Sequence, residues 1–239
     1  MRKVGKPKLI LSIAFKFSPF LKNLAVPGST ERGYLIEIFG ENPDDNPNAT
    51  VVFHTTTKKD LIDVPDSLHK SIPSSYFVRA RTIFTPDRSS RFRFGLSVAG
   101  KAKLRIDGKE SIDLWTSHPR KTDSTAVFNR LTMERFVDVD VKAGQALTFE
   151  VLATNELIGT AVGILPTLTA RLGGYEIIDE DQSILIATEL ARKVDIPILM
   201  SGLSSDYEYE GCDRKNLALP NRVDELIEKV LEANPNTVS

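Results

Sequence analysis

Phe94-Gly95-Leu96-Ser97-Val98-Ala99-Gly100-Lys101-Ala102-Lys103-Leu104-Arg105-Ile106-Asp107-Gly108-Lys109 is the stretch on which the fold turns. Ala102, Leu104 and Ile106 alternate with Lys101, Lys103 and Arg105, a period of two that sets the apolar side chains on one face of a strand. Asp107-Gly108 comes next, and both positions tolerate positive φ, so the run ends in a tight hairpin.

The same pattern extends to both sides. Tyr34-Leu35-Ile36-Glu37-Ile38-Phe39, Thr50-Val51-Val52-Phe53-His54, Tyr76-Phe77-Val78-Arg79-Ala80 and Arg91-Phe92-Arg93-Phe94-Gly95-Leu96 alternate or run β-branched. So do Phe136-Val137-Asp138-Val139-Asp140-Val141 and Leu147-Thr148-Phe149-Glu150-Val151, with Pro43, Pro47 and Pro86 punctuating the loops. Seven or more short strands predict a mainly β chain with a β-sandwich over residues 33–168, behind an irregular segment, 1–32.

After Pro166 the period becomes helical. Asp179 or Asp181 caps a helix running from Gln182 to Val194, with Ile184, Ala187, Ala191 and Val194 on one face. Ile196 to Ser201 reads as a short buried strand. Asn221 or a neighbour opens a second helix, whose stripe Val223, Leu226, Ile227, Val230 and Leu231 ends at Asn234-Pro235. Thr237-Val238 begins another strand. Residues 169–239 thus read as part of an α/β layer, in which the stripe from Val223 to Leu231 is expected to be partly exposed.

Composition excludes more than it selects. With 31 basic and 32 acidic side chains the net charge is -1, which gives no electrostatic reason for a nucleic-acid or anionic-lipid partner. Cys212 is the single cysteine, so no internal disulfide forms. His54, His69 and His118 lie far apart and share no ligand spacing, so no metal site and no cofactor are expected. Gly173-Gly174 lacks the surroundings of a dinucleotide or phosphate loop. No stretch approaches the roughly 20 apolar residues of a membrane helix, and a soluble protein is expected. Lys16 and Lys22 interrupt the apolar run after the basic start, against a cleaved signal, and secretion stays open beside the cytoplasm.

The chemistry concentrates in Ser204-Ser205-Asp206-Tyr207-Glu208-Tyr209-Glu210-Gly211-Cys212-Asp213-Arg214, directly after Ile196-Pro197-Ile198-Leu199-Met200. Ligands of open α/β sheets bind beyond the carboxyl ends of strands, and a glycine there lets backbone turn close to a substrate. By composition alone such a run is a solvated acidic loop.

The residues downstream of the loop change that reading. SDYEYEGCDRKNLALPNRVDELIEKVLEANPNTV resembles the acid-bearing segment of glycoside hydrolase family three, the β-glucosidase family, whose pattern runs W-E-x-E-G-Y-D-R, x-x-L-x-L-P, D-E-L-I and A-N-P-N-T. The resemblance places Glu210 on the general acid/base and Glu208, Asp213 and Arg214 around it. Tyr207 stands where the family has tryptophan, and Cys212 where it has tyrosine. A glycosidic oxygen leaves only when protonated, so its acid needs a raised pKa. Glu208 and Asp213 push the Glu210 carboxyl up, and Arg214 pulls it down. Tyr207, with Trp115 and Phe128 in the connection from Leu114 to Arg130, are the candidates for contact with a sugar face; packing is the competing role for each.

A second resemblance lies in the strands. The run from Phe94 to Lys109 is similar to the core of the protective-antigen-type (PA-fourteen) domain, a β-sandwich that many fungal members of the family carry inserted ahead of the acid loop. Calcium, which some such domains hold on an Asp pair, is not expected at Asp44-Asp45, in a proline-rich loop.

Together the two resemblances imply a partial β-glucosidase acting by retention on terminal β-D-glucosyl residues of a β-glucoside or oligosaccharide. In the family the nucleophile is an aspartate of an amino-terminal (β/α)₈ barrel, which these 239 residues do not contain. The chain by itself is therefore expected to be inactive, with that barrel as its partner in cis or in a larger chain. A carbohydrate-binding sandwich and an inactive remnant are the alternatives.

Overall fold

The computed structural model describes residues 18–68, 70–117, 131–132, 134–156, 168–203 and 216–239. The chain divides into two compact units, Phe17–Ile177 and a second made of Met1–Lys16 with Ile178–Ser239.

Eleven strands, counted among the described residues, build the first unit: β1 (Leu24–Ala25), β2 (Tyr34–Phe39), β3 (Val51–Thr57), β4 (Leu61–Asp63), β5 (Phe77–Phe84), β6 (Ser90–Ala99), β7 (Lys101–Ile106), β8 (Lys109–Leu114), β9 (Arg135–Val141), β10 (Leu147–Thr154) and β11 (Thr169–Glu176). The larger sheet runs β3-β2-β5-β10-β7-β8, with β1 also on β5, and the smaller β4-β11-β6-β9. All of these pairings are antiparallel. The sheets reach past residues 33–168 on both sides, through β1 and β11.

Alternation explains the strands. In β5, Val78, Ala80, Thr82 and Phe84 are buried while Phe77, Arg79, Arg81 and Ile83 are less so, and β7 buries Ala102, Leu104 and Ile106 in the same way. The two inner faces meet in an aromatic cluster. Phe94 of the small sheet packs edge-on against Phe149 and Phe84 of the large sheet, with ring centroids 4.9 and 5.6 Å apart, and Phe92 lies 5.2 Å from Phe94. The β7–β8 hairpin turns on Asp107 (φ 50°) and Gly108 (φ 77°), both left-handed. Asp107 also accepts from the Thr148 N–H at 2.8 Å, which docks the turn on β10.

The stretch from Thr169 to Glu176 is a strand, although the sequence reads as leaving β structure at Pro166. Gly173-Gly174 gives it the look of a loop, yet both glycines are needed inside the sheet. A Cβ on Gly173 would lie 2.5 Å from the Ser18 carbonyl oxygen, and one on Gly174 2.8 Å from the Phe94 ring.

The second unit holds α1 (Glu180–Arg192) and α2 (Val223–Ala233). Asp179 caps α1, its carboxylate accepting from the Gln182 N–H at 3.0 Å, one of the two caps the sequence offers. Ile184, Ala191, Leu226 and Val230 form the helix–helix core, with Leu199 packed on it. Ile198 and Val238 make a parallel bridge, with Leu199 N–H to Val238 O at 2.8 Å and Val238 N–H to Pro197 O at 3.0 Å. The buried strand expected at 196–201 is not seen: Ile196, Ile198 and Met200 are 62%, 77% and 92% exposed. The physical reason is that a parallel strand is buried only between two covering layers, and among the described residues one layer is present. The helical stripe is better covered than expected. Val223, Leu226 and Val230 are buried, and Leu231 is the exposed member.

Candidate active site

Tyr207, Glu208, Glu210, Asp213 and Arg214 lie outside the described residues, and so does Phe128. The described residues form the frame that holds the two ends of segment 204–215.

On the incoming side, Pro197 to Leu199 is hooked to Val238 by the parallel bridge, which fixes the direction in which the chain leaves Met200. On the outgoing side, the Ala218 N–H donates to Asn216 Oδ1 at 3.2 Å and the Leu219 N–H to Asp224 Oδ2 at 3.3 Å. Asp224 belongs to the first turn of α2, where its charge also suits the helix dipole. Extended stretch, segment 204–215, helix and parallel bridge partner thus follow one another in the order of a β-loop-α-β unit, in which the segment joins a strand's carboxyl end to a helix amino terminus.

Arg222 organises that frame. Its Nε and Nη2 bond both carboxylate oxygens of Glu225 at 2.7 and 2.8 Å, and its Nη1 reaches Asp181 of α1 at 2.6 Å. These hydrogen bonds, first to Glu225 and then to Asp181, raise the guanidinium pKa, and Arg222 in turn lowers that of Glu225. The sequence reading assigns Arg222 no role. An arginine three residues before a glutamate at a helix start was the available signal, for that spacing sets the two side chains on one face. Of Asn221 and its neighbours, offered as the helix opener, Arg222 takes the cap position; Asn221 has φ 51°, and the first helical residue is Val223.

Trp115 is the one sugar-contact candidate within the described residues. Its ring stacks on Phe77, with centroids 6.1 Å and planes 17° apart, and Lys103 Nζ lies 6.0 Å from the ring centre. Asp113 fixes the backbone there by accepting from the N–H groups of Trp115 and Thr116 at 2.6 and 3.0 Å. Burial raises the Asp113 pKa, but these bonds, that of the Thr116 hydroxyl and the charge of Lys103 outweigh it, and the net shift is downward. Trp115 is thus held in place between an aromatic and a cationic neighbour.

No group of three or more His, Cys, Asp or Glu among the described residues is placed to hold a metal. Asp44 pairs with Arg105, which also binds Glu150 at 2.6 Å, and Asp45 accepts from Asn42 Nδ2 at 2.8 Å. Both carboxylates serve to pin the β2–β3 connection.

Comparison with known proteins bears on the whole chain. Residues 20–239 match the model of the glycosyl hydrolase family 3 C-terminal domain. A probable β-glucosidase I of Aspergillus clavatus is 30% identical over 225 residues, covering 92% of this chain and 26% of that protein. A β-glucosidase of Kluyveromyces marxianus is 30% identical over 223 residues, covering 91% and 26%. The crystal structure of selenomethionine-labelled β-glucosidase from K. marxianus superposes with a TM-score of 0.83 at 25% identity, over 94% of this chain and 28% of that one. The chain spans about a quarter of the length of these relatives. The matched span takes in all eleven strands and both helices, and the chain belongs to the glycosyl hydrolase family 3 C-terminal domain family.

Proposed function

We propose that this chain supplies the acid-bearing part of a retaining β-glucosidase, with Glu210 as general acid/base. The observation that carries the reading is the family match over residues 20–239, which includes the segment 204–215 and the frame on either side of it. Glu208, Asp213 and Arg214 set the charge around Glu210, and Tyr207, Phe128 and Trp115 are the candidates to meet the sugar. The sandwich, which the sequence places at 33–168 and the sheets extend through β1 and β11, is the PA-fourteen-type module, and the residues after β11 are the family's α/β segment.

Retention needs a second carboxylate about 5 to 5.5 Å from the acid to attack the anomeric carbon. That group comes from a (β/α)₈ barrel supplied in cis or by a larger chain. Glu210 protonates the leaving oxygen as the bond breaks, then takes a proton from the water that releases the glycosyl enzyme. Neither step needs a metal or a redox cofactor.

Joined to a family barrel, the chain should hydrolyse β-glucosides. Glu210→Gln should slow alkyl glucosides by about 10²–10⁴-fold and activated aryl glucosides far less, since only the former need protonation. Equal losses on both substrates would remove Glu210 from the acid role. Turnover by the 239-residue chain alone, abolished by Glu210→Gln, would refute the need for the barrel.

A further inference from the structure

The outer face of the small sheet contains a trough. Gly95 of β6 and Gly173 of β11 are paired across the sheet and carry no side chain on this face. Two charged side chains, Glu134 at 8% and Arg171 at 9% exposure, are buried at this trough. Burying a carboxylate and a guanidinium in a protein is costly unless both are hydrogen-bonded.

Both bond the same peptide segment. Glu134 Oε2 accepts from the Ser18 N–H at 2.7 Å, and Arg171 Nη2 donates to the Ser18 carbonyl at 2.9 Å. The Arg171 guanidinium also sits 4.5 Å above the Phe20 ring centre. Gly174 N–H donates to Pro19 O at 2.9 Å, and Phe20 bridges Gly173. The glycines make room for this: a Cβ on Gly95 would lie 2.2 Å from Glu134 Oε1, and one on Gly173 2.5 Å from Ser18 O. Acceptor, donor and trough all address main-chain atoms. The segment is therefore gripped through its backbone as well as through the Phe20 ring, and Leu21, which is buried in the main core, anchors its far end.

We propose that Glu134, Arg171 and the trough Gly95–Gly173, with the Gly174 N–H beside it, form a latch for the Ser18–Phe20 strap. The latch fastens the chain coming into the sandwich against the strand leaving it, and it opens without opening the sandwich. Its grip is a few bonds on one edge, whereas the sheets beneath are held by full ladders and the aromatic cluster. The two therefore separate in stability.

The test is hydrogen exchange on the full chain, read at Ser18 and Phe20 and at the β5–β10 core, with trypsin cleavage at the exposed Lys22 as a second readout. Glu134→Ala should speed strap exchange by at least about tenfold, since it removes a charge-assisted bond. Glu134→Gln, which keeps an acceptor, should restore most of the protection. Gly95→Ala should loosen the strap by displacing Glu134 while leaving both gripping residues in the chain. Cleavage at Lys22 should accelerate in the same order, and β5–β10 protection should not change. Should Glu134→Ala fail to fold, Gly95→Ala and Phe20→Ala carry the test. The proposal is overturned if strap and core amides accelerate together in these variants, or if the wild-type strap already exchanges at the rate of an open loop.

Discussion

The sandwich and the α1–α2 unit solve the same burial problem to different degrees. In the sandwich each sheet covers the other's inner face, and the strap with Leu131, Thr132 and Glu134 lies over the outer face of the smaller sheet. In the α1–α2 unit the two helices cover Leu199, while Ile196, Ile198 and Met200 face solvent. The difference teaches that an apolar run guarantees a strand only where neighbours exist on both sides. Ile196, Ile198 and Met200 are among the apolar side chains this unit leaves in water.

The comparison is broken most forcefully from the sandwich side. Phe94→Ala should cost the sandwich about 3–5 kcal/mol, because it empties the centre of the aromatic cluster. Calorimetry with exchange read separately at β10 and at α2 should show the first destabilised and the second unmoved. A joint shift would mean that the two units unfold as one.

The converse variant, Leu226→Ala, should cost the helix pair about 2–3 kcal/mol and leave β10 protection intact. Complete loss of α2 protection with an unchanged sandwich transition is the expected reading.

A pH dependence separates the units further. The Tyr34 phenol lies deep in the sandwich, where burial, and then the negative charge of Asp60, raise its pKa well above the ordinary value against the opposing effect of Arg32. The folded state therefore holds this proton after the unfolded chain has lost it. The associated stability is complete below about pH 10, the unfolded value, and falls as pH rises from there through the folded pKa, at about 1.4 kcal/mol per pH unit. Tyr34→Phe should flatten that alkaline loss in the sandwich transition. The helix pair should show none of it.

The smallest effect sharpens the contrast. Ile198→Ser with Met200→Ser should change stability by less than about 0.5 kcal/mol, since both side chains already meet water. Self-association measured by light scattering should nonetheless drop. An unfolded helix pair in this variant would show that the exposed row is structural.

Much of this was legible in the sequence. The alternation in β7, the partly alternating and β-branched runs of β2 and β5, and the Asp107-Gly108 turn are local signals that need no tertiary knowledge. The helix over α2 was equally plain from its stripe. The hidden features depended on partners distant in the chain. The glycines of β11 resemble a loop until Ser18 and Phe94 are seen to occupy the space that side chains would need. The apolar run at 196–200 resembles a buried strand because nothing in its own residues states whether a covering layer exists. The site divides the same way: the acid loop was found by its likeness to a family, whereas Arg222 acts through Asp181 and Glu225, a geometry that only folding creates.

The left-handed turn at Asp107-Gly108 bears on the order of events in folding. The β5–β10 ladder at the centre of the larger sheet joins residues more than sixty positions apart, such as Phe77 with Thr154 and Phe84 with Leu147. Contacts of that range form slowly, because a long loop must be closed before they reward the chain. The β7–β8 hairpin is the local exception, and its φ values are already those its two turn residues favour. It can stand as a template on which β10 later docks through Asp107 and Thr148. Gly108→Val would then delay the appearance of the native sheet more than it hastens its loss, lengthening the interval in which the exposed row of the second unit meets other chains before the molecule is finished.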